Sequence, residues 1–138
     1  MTRPLLIAGW VTSALLSIVG TAVAQTTQVT PLLSRDLLGV PGKEGAMFLV
    51  EYPPGAGDPV HRHFANVFVY VLEGSIVMQV EGAAPVTLHP GQTFYEGPSD
   101  IHVVGRNAST TEPAKFLAFF VKQKGAPVLV PMQMEKKP

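Results

Sequence analysis

Residues 55–74 read GAGDPVHRHFANVFVYVLEG, and this stretch decides the fold. Its second half, Val67 to Leu72, is β-branched or aromatic at almost every position. That is the composition of a pleated, half-buried strand. Just upstream, residues 53–59 (PPGAGDP) must form a loop, because proline cannot donate to a ladder and glycine supplies unusual dihedrals. Between loop and strand stand His61 and His63. Residues two apart on a strand share a face, so both imidazoles can aim into one cavity. A histidine pair held that way is half of a metal site.

The same pattern of short strands and turns extends in both directions. Upstream, residues 25–34 lead into an edge strand, residues 39–42 (GVPG) turn, and Ala46 to Tyr52 form a strand. Downstream, Glu73 and Gly74 turn the chain, and Ser75 to Val80 are read as the antiparallel return of the 67–72 strand. Further strands are expected at Pro85 to Leu88, Thr93 to Glu96, Ile101 to Val104 and Lys115 to Lys122. No helical period is present beyond the N-terminal segment. Strands at spacings of about 8–12 residues with turns between them indicate an all-β sandwich or closed barrel. The 13 glycines and 13 prolines agree with that punctuation.

The 138 residues suffice for one domain. A hydrophobic content of 46% with 14% charged residues suits a packed core and argues against disorder. The formal charge is zero and no basic stripe occurs, so nucleic acid is not an expected partner. There is no cysteine, hence no disulfide and no lipobox.

Arg3, the apolar run Leu5 to Val19 and the small residues Ala22 and Ala24 read as a signal peptide over residues 1–24. The mature chain is then expected to begin at Gln25, without Arg3 and without Trp10, the single tryptophan. It would carry no membrane span and reside in the periplasm or outside the cell. The expected organisation is 25–43 as N-terminal segment and edge strand, 44–122 as barrel, and 123–138 as an extended tail that is either a docked arm or a frayed end.

His102 opens a later strand, after the loop 97–100 (GPSD). With His61 and His63 it would complete a three-nitrogen face that leaves coordination positions open. Glu96 ends the strand before that loop. It is the candidate for a fourth ligand or a catalytic acid/base. His89, beside Pro90 and Gly91, is expected in a solvent-facing turn, and Asn66 is expected on the outer face. Tyr70, Tyr95, Phe48, Phe94 and Met78 are expected in the core or lining the pocket. The alternative to a metal is a buried cluster of neutral, hydrogen-bonded imidazoles.

The spacing of Gly55, His61, His63, position 67 and Gly74 resembles the first motif of the cupin family, and residues 91–107 with His102 resemble the second. The resemblance covers roughly residues 44–122 and implies a jelly-roll (double-stranded β-helix) barrel. The family pattern has glutamate where Val67 stands, and proline and glycine where Gly97 and Ser99 stand. Its asparagine falls one residue late, at Asn107. The resemblance implies a divalent iron, manganese, nickel, copper or zinc ion and a small-molecule substrate, in a dioxygenase, isomerase, decarboxylase or lyase. A shell lacking the glutamate charge would favour anionic ligands such as carboxylates or enolates. A non-catalytic periplasmic module binding metal or a small ligand is the alternative. The two-sided apolar run Phe116 to Val121, with the resemblance, suggests a homodimer.

Overall fold

The structure is a computed structural model that describes residues 26–133. The proposed signal peptide and residues 134–138 lie outside the described residues. Among those described there is no helix, and therefore none long and apolar enough to cross a membrane.

Among the described residues eleven strands form two antiparallel sheets. In the first sheet β1 (Gln28–Asp36) pairs β2 (Lys43–Tyr52), then come β10 (Ala114–Gln123), β5 (Asn66–Glu73) and β8 (Thr93–Glu96). In the second sheet the order is β11 (Val130–Pro131), β4 (His61–Arg62), β9 (His102–Asn107), β6 (Ile76–Val80) and β7 (Val86–Leu88), with β3 (Gly57–Asp58) also on β9. This is the all-β jelly roll expected from the sequence.

Alternation sets the inner face. On β5 Val67, Val69 and Val71 are buried while Phe68, Tyr70 and Leu72 are exposed. On β10 Phe116, Ala118 and Phe120 turn inward, and on β2 Ala46, Val50 and Tyr52 do so. Each large apolar side chain taken from water contributes about 1.5–3 kcal/mol, so these inner rows supply the core. Edge-to-face pairs join them, Tyr52 to Phe116 at 5.1 Å and Phe48 to Phe120 at 5.5 Å.

Three expectations need correction. The strand after Gly74 does not return along β5: β5 pairs β10 and β8, whereas β6 pairs β7 and β9 in the other sheet. Gly74 has φ +68°, and a Cβ there would stand 2.4 Å from the Pro113 carbonyl. The glycine permits a tight crossing between sheets rather than a hairpin. Tyr70 and Tyr95 are not in the core; both sit half-exposed on the outer face, where the Tyr95 hydroxyl donates to Asn66. The loop 53–59 holds the two-residue strand β3.

The described part of the C-terminal arm is docked through residues 130–132. Val130 and Pro131 pair with Arg62 and His61, and the Met132 amide donates to the Val60 carbonyl at 2.9 Å. Asn107 is buried, and its amide donates to the carbonyls of Tyr52, Pro53 and Glu112, clamping the end of β2 to the 108–113 loop.

Candidate metal centre

His61 lies on β4, His102 opens β9, and the two are ladder partners. His63 follows just past β4, so the two-apart geometry places it inward although the strand has ended. Glu96 closes β8, which lies in the opposite sheet. The four side chains converge, with one donor atom from each all within 4.8 Å of one another. His61, His102 and Glu96 are buried below a few per cent exposure. His89 is exposed and bonds only Ser75 and its own turn, as expected.

Three ring nitrogens and a carboxylate oxygen crowd together at this point. His61 Nδ1 donates to the Pro59 carbonyl at 2.7 Å, and His63 Nδ1 donates to the Val128 carbonyl at 2.6 Å. A carbonyl can only accept, so in each neutral ring the other nitrogen, Nε2, carries a lone pair. These two Nε2 atoms face one another at 3.0 Å. Glu96 Oε2 lies 3.4 Å from His63 Nε2 and 3.4 Å from His102 Nδ1, and the latter is 3.3 Å from His61 Nε2. Ligands at about 2.0–2.2 Å from one ion stand about 2.8–3.6 Å apart at adjacent positions. The four contacts fit that range. His102 Nε2 is buried with no hydrogen-bond partner.

The electrostatics are coupled. Burial holds His61 and His102 below the ordinary histidine range. Burial would also lower His63, but the Glu96 carboxylate outweighs it and holds His63 above that range. Burial would raise Glu96, but the hydrogen bond to His63 and the other imidazoles outweigh it and lower the group. A buried carboxylate kept ionised beside three imidazoles supplies the negative charge that a divalent cation would need.

Beside the four side chains opens a cavity of about 180 Å³. Its walls are mainly apolar, from Phe48, Val67, Met78, Phe116, Phe120 and Val128. Phe48 and Met78 are thus pocket lining, while Phe94 packs against the core. Two polar residues not singled out from the sequence also line it, Tyr52 and Asp58. The Tyr52 hydroxyl donates to Asp58 Oδ2 at 2.5 Å. Burial pushes the phenol far above its ordinary range and the neighbouring carboxylate adds to this. The only local signals were the place of Tyr52 at a strand end and of Asp58 before a proline and a histidine. Below the site Gly105 leaves space: a Cβ there would fall 2.8 Å from His102 Cε1 and 3.1 Å from the Tyr52 hydroxyl.

The Cupin domain family model matches residues 48–120, more than half of the chain. The chain belongs to the cupin family. Among solved structures this cupin is similar to the DMSP lyase DddQ from Ruegeria pomeroyi, at 24% identity and a TM-score of 0.58 over 67% of this chain and 45% of that one. It is similar to oxalate oxidase in complex with the substrate analogue glycolate, at 22% identity and a TM-score of 0.60 over 80% and 57%. A cupin-like protein from Thermotoga maritima gives 21% identity and a TM-score of 0.60 over 77% and 75%. At these identities the likeness is one of fold. The chain spans less than half the length of the DMSP lyases it matches. No curated protein matches it.

Proposed function

We propose that this cupin holds one divalent transition-metal ion on His61, His63, His102 and Glu96, and acts on a small molecule bound in the adjoining cavity. The observation that carries this reading is the convergence of one donor atom each from His61, His63, His102 and Glu96 within 4.8 Å of one another, with His61 Nε2 and His63 Nε2 only 3.0 Å apart. With both rings neutral, two buried acceptors in that position call for a cation between them, and a proton on His63 is the competing solution. Three imidazoles and a carboxylate suit iron, manganese, nickel, copper or zinc alike. When bound, such an ion polarises oxygen ligands or activates water or dioxygen.

The chain's own residues supply the rest. The apolar walls exclude water and seat a hydrocarbon body. The Tyr52 hydroxyl brings a proton to the cavity wall, and the Asp58 carboxylate beside it accepts one. No lysine or arginine lines the cavity among the described residues, so the metal end is the place for a ligand's carboxylate or enolate oxygens. Lyase and oxidase chemistry are the first classes to try, because neighbours of similar fold include a DMSP lyase and an oxalate oxidase. The non-catalytic alternative rests on valine at position 67 and on the loose second motif, with Gly97, Ser99 and the late Asn107. Glu96, placed opposite Val67, offers a carboxylate in place of the missing one, and turnover is what separates the two readings.

We also propose that the mature protein is exported and dimeric. Export rests on the sequence of residues 1–24. N-terminal sequencing of the exported form should begin at Gln25, and retention of Trp10 would refute cleavage. The dimer rests on the outer face of the first sheet, where Phe68, Tyr70 and Tyr95 are half-exposed beside Leu117 and Phe119.

The test of function is metal analysis of protein purified from its native compartment, then a screen of oxygen uptake and of carboxylate and enol substrates. Turnover abolished by a chelator supports the enzyme. Tight metal binding without turnover would convert the reading to a binding module. A melting temperature indifferent to added metal would remove the ion altogether.

A further inference from the structure

The stretch after β10 contributes no side chain to the proposed ligand set. Its first residues are tied down. Glu44 Oε1 accepts from the buried Lys122 ammonium and from the Gly125 amide at 3.2 Å, and Lys122 Nζ also donates to the Ala126 carbonyl at 2.7 Å. Gly125 follows with φ +73°, and a Cβ there would meet nothing within 4 Å. That glycine is needed for its backbone angle and not for space. Beyond it Val128 and Leu129 cross the cavity and line it. The far end is held by the two-residue ladder of Val130 and Pro131 on β4 and by the Met132 amide.

One contact makes this more than cover. The Val128 carbonyl accepts from His63 Nδ1 at 2.6 Å across a sequence separation of 65 residues. That bond fixes the ring's tautomer and points Nε2 at the other three ligands.

We propose that residues 125–132 are a strap over the metal centre: the Val128 carbonyl positions His63, and the strap lifts about Gly125 to let ion and ligand in. This rests on the metal reading. Segments held by few backbone bonds open locally at far lower free energy than the barrel unfolds. Lifting the strap withdraws two cavity walls and the partner of His63 together, so opening the cavity loosens the ion and closing it completes the ion's shell.

The test locks the strap. Arg62 and Val130 are cross-strand partners, and no native cysteine competes. The double variant Arg62→Cys/Val130→Cys, in the full chain, is compared as the disulfide and as the reduced, S-methylated form. Cobalt(II) uptake by metal-free protein is followed by its visible absorption in stopped flow. The locked form should bind the same amount of cobalt but take it up and release it about ten-fold or more slowly. Equal rates in a chain whose cross-link is verified would overturn the strap while leaving the metal reading intact. If the cross-link does not form, Lys122→Met decides. Loss of the tie to Ala126 should speed cobalt release, and an unchanged rate would overturn the proposal. No uptake by any form, wild type included, would overturn the metal reading and the strap with it.

Discussion

Val67 on β5 and Glu96 on β8 are directly opposed in the ladder. The family's first motif has its glutamate at position 67, and here the carboxylate stands one strand across. Both side chains line the same cavity. The proposed metal shell thus draws its carboxylate from the strand facing position 67.

Glu96→Gln should weaken metal binding more than the about 10–100-fold typical of losing an outer partner. The compensated variant Val67→Glu/Glu96→Val should recover much of that loss, because the carboxylate returns to the same wall from the facing strand. Competition titration with a chromogenic chelator reads both. Unchanged affinity in Glu96→Gln would remove Glu96 as a ligand.

Much of this site was legible in the sequence. His61, His63 and His102 stand at loop–strand junctions, and period-two alternation is local information that a single stretch carries. Ladder partners are not local. The pairing of Val67 with Glu96 depends on how two sheets bury their inner faces, which no window around either residue records. The same limit explains the strand after Gly74. A glutamate-glycine turn looks like a hairpin, yet the close approach of Pro113 to Gly74 comes from a segment nearly forty residues away and sends β6 into the other sheet. Tyr52, Asp58 and Val128 were silent for a related reason. A tyrosine ending a strand is ordinary until another segment sets a carboxylate against it, and a backbone carbonyl has no sequence signature at all.

Gly105→Ala should destabilise the fold by about 1–3 kcal/mol, the usual cost of forcing a methyl into a packed interior. The new Cβ falls 2.8 Å from His102 Cε1, so His102 must shift. Urea unfolding measures the stability, and weakened metal binding in the folded variant would report the displaced ring.

The Glu44 carboxylate gives a pH dependence at the base of the strap. Its hydrogen bond to Lys122 lowers it below the ordinary value of 4.5 despite an opposing effect of burial. A depressed carboxylate contributes stability that is present above its unfolded value and is lost as pH falls through its folded one. Wild type should therefore exceed Glu44→Gln in urea midpoint at neutral pH, and the two should converge as pH falls below the ordinary carboxylate value of 4.5 and through the lower folded one. A gap that stays constant with pH would show that the charge of Glu44 does not matter.

Phe68→Glu or Tyr70→Lys places a charge on the outer face of the first sheet, where both positions are half-exposed. Light scattering at micromolar concentration should give a dimer for wild type and a monomer for the variants, with unchanged metal content. A monomeric wild type would refute the dimer.

The gathering of four side chains about one ion is tested most directly by anomalous diffraction from crystals grown with cobalt or zinc, recorded on both sides of the metal's absorption edge. The expected result is a single strong peak bounded by His61 Nε2, His63 Nε2, a Glu96 oxygen and a nitrogen of His102. An empty position there in metal-saturated crystals, or an ion held by other residues, would contradict it.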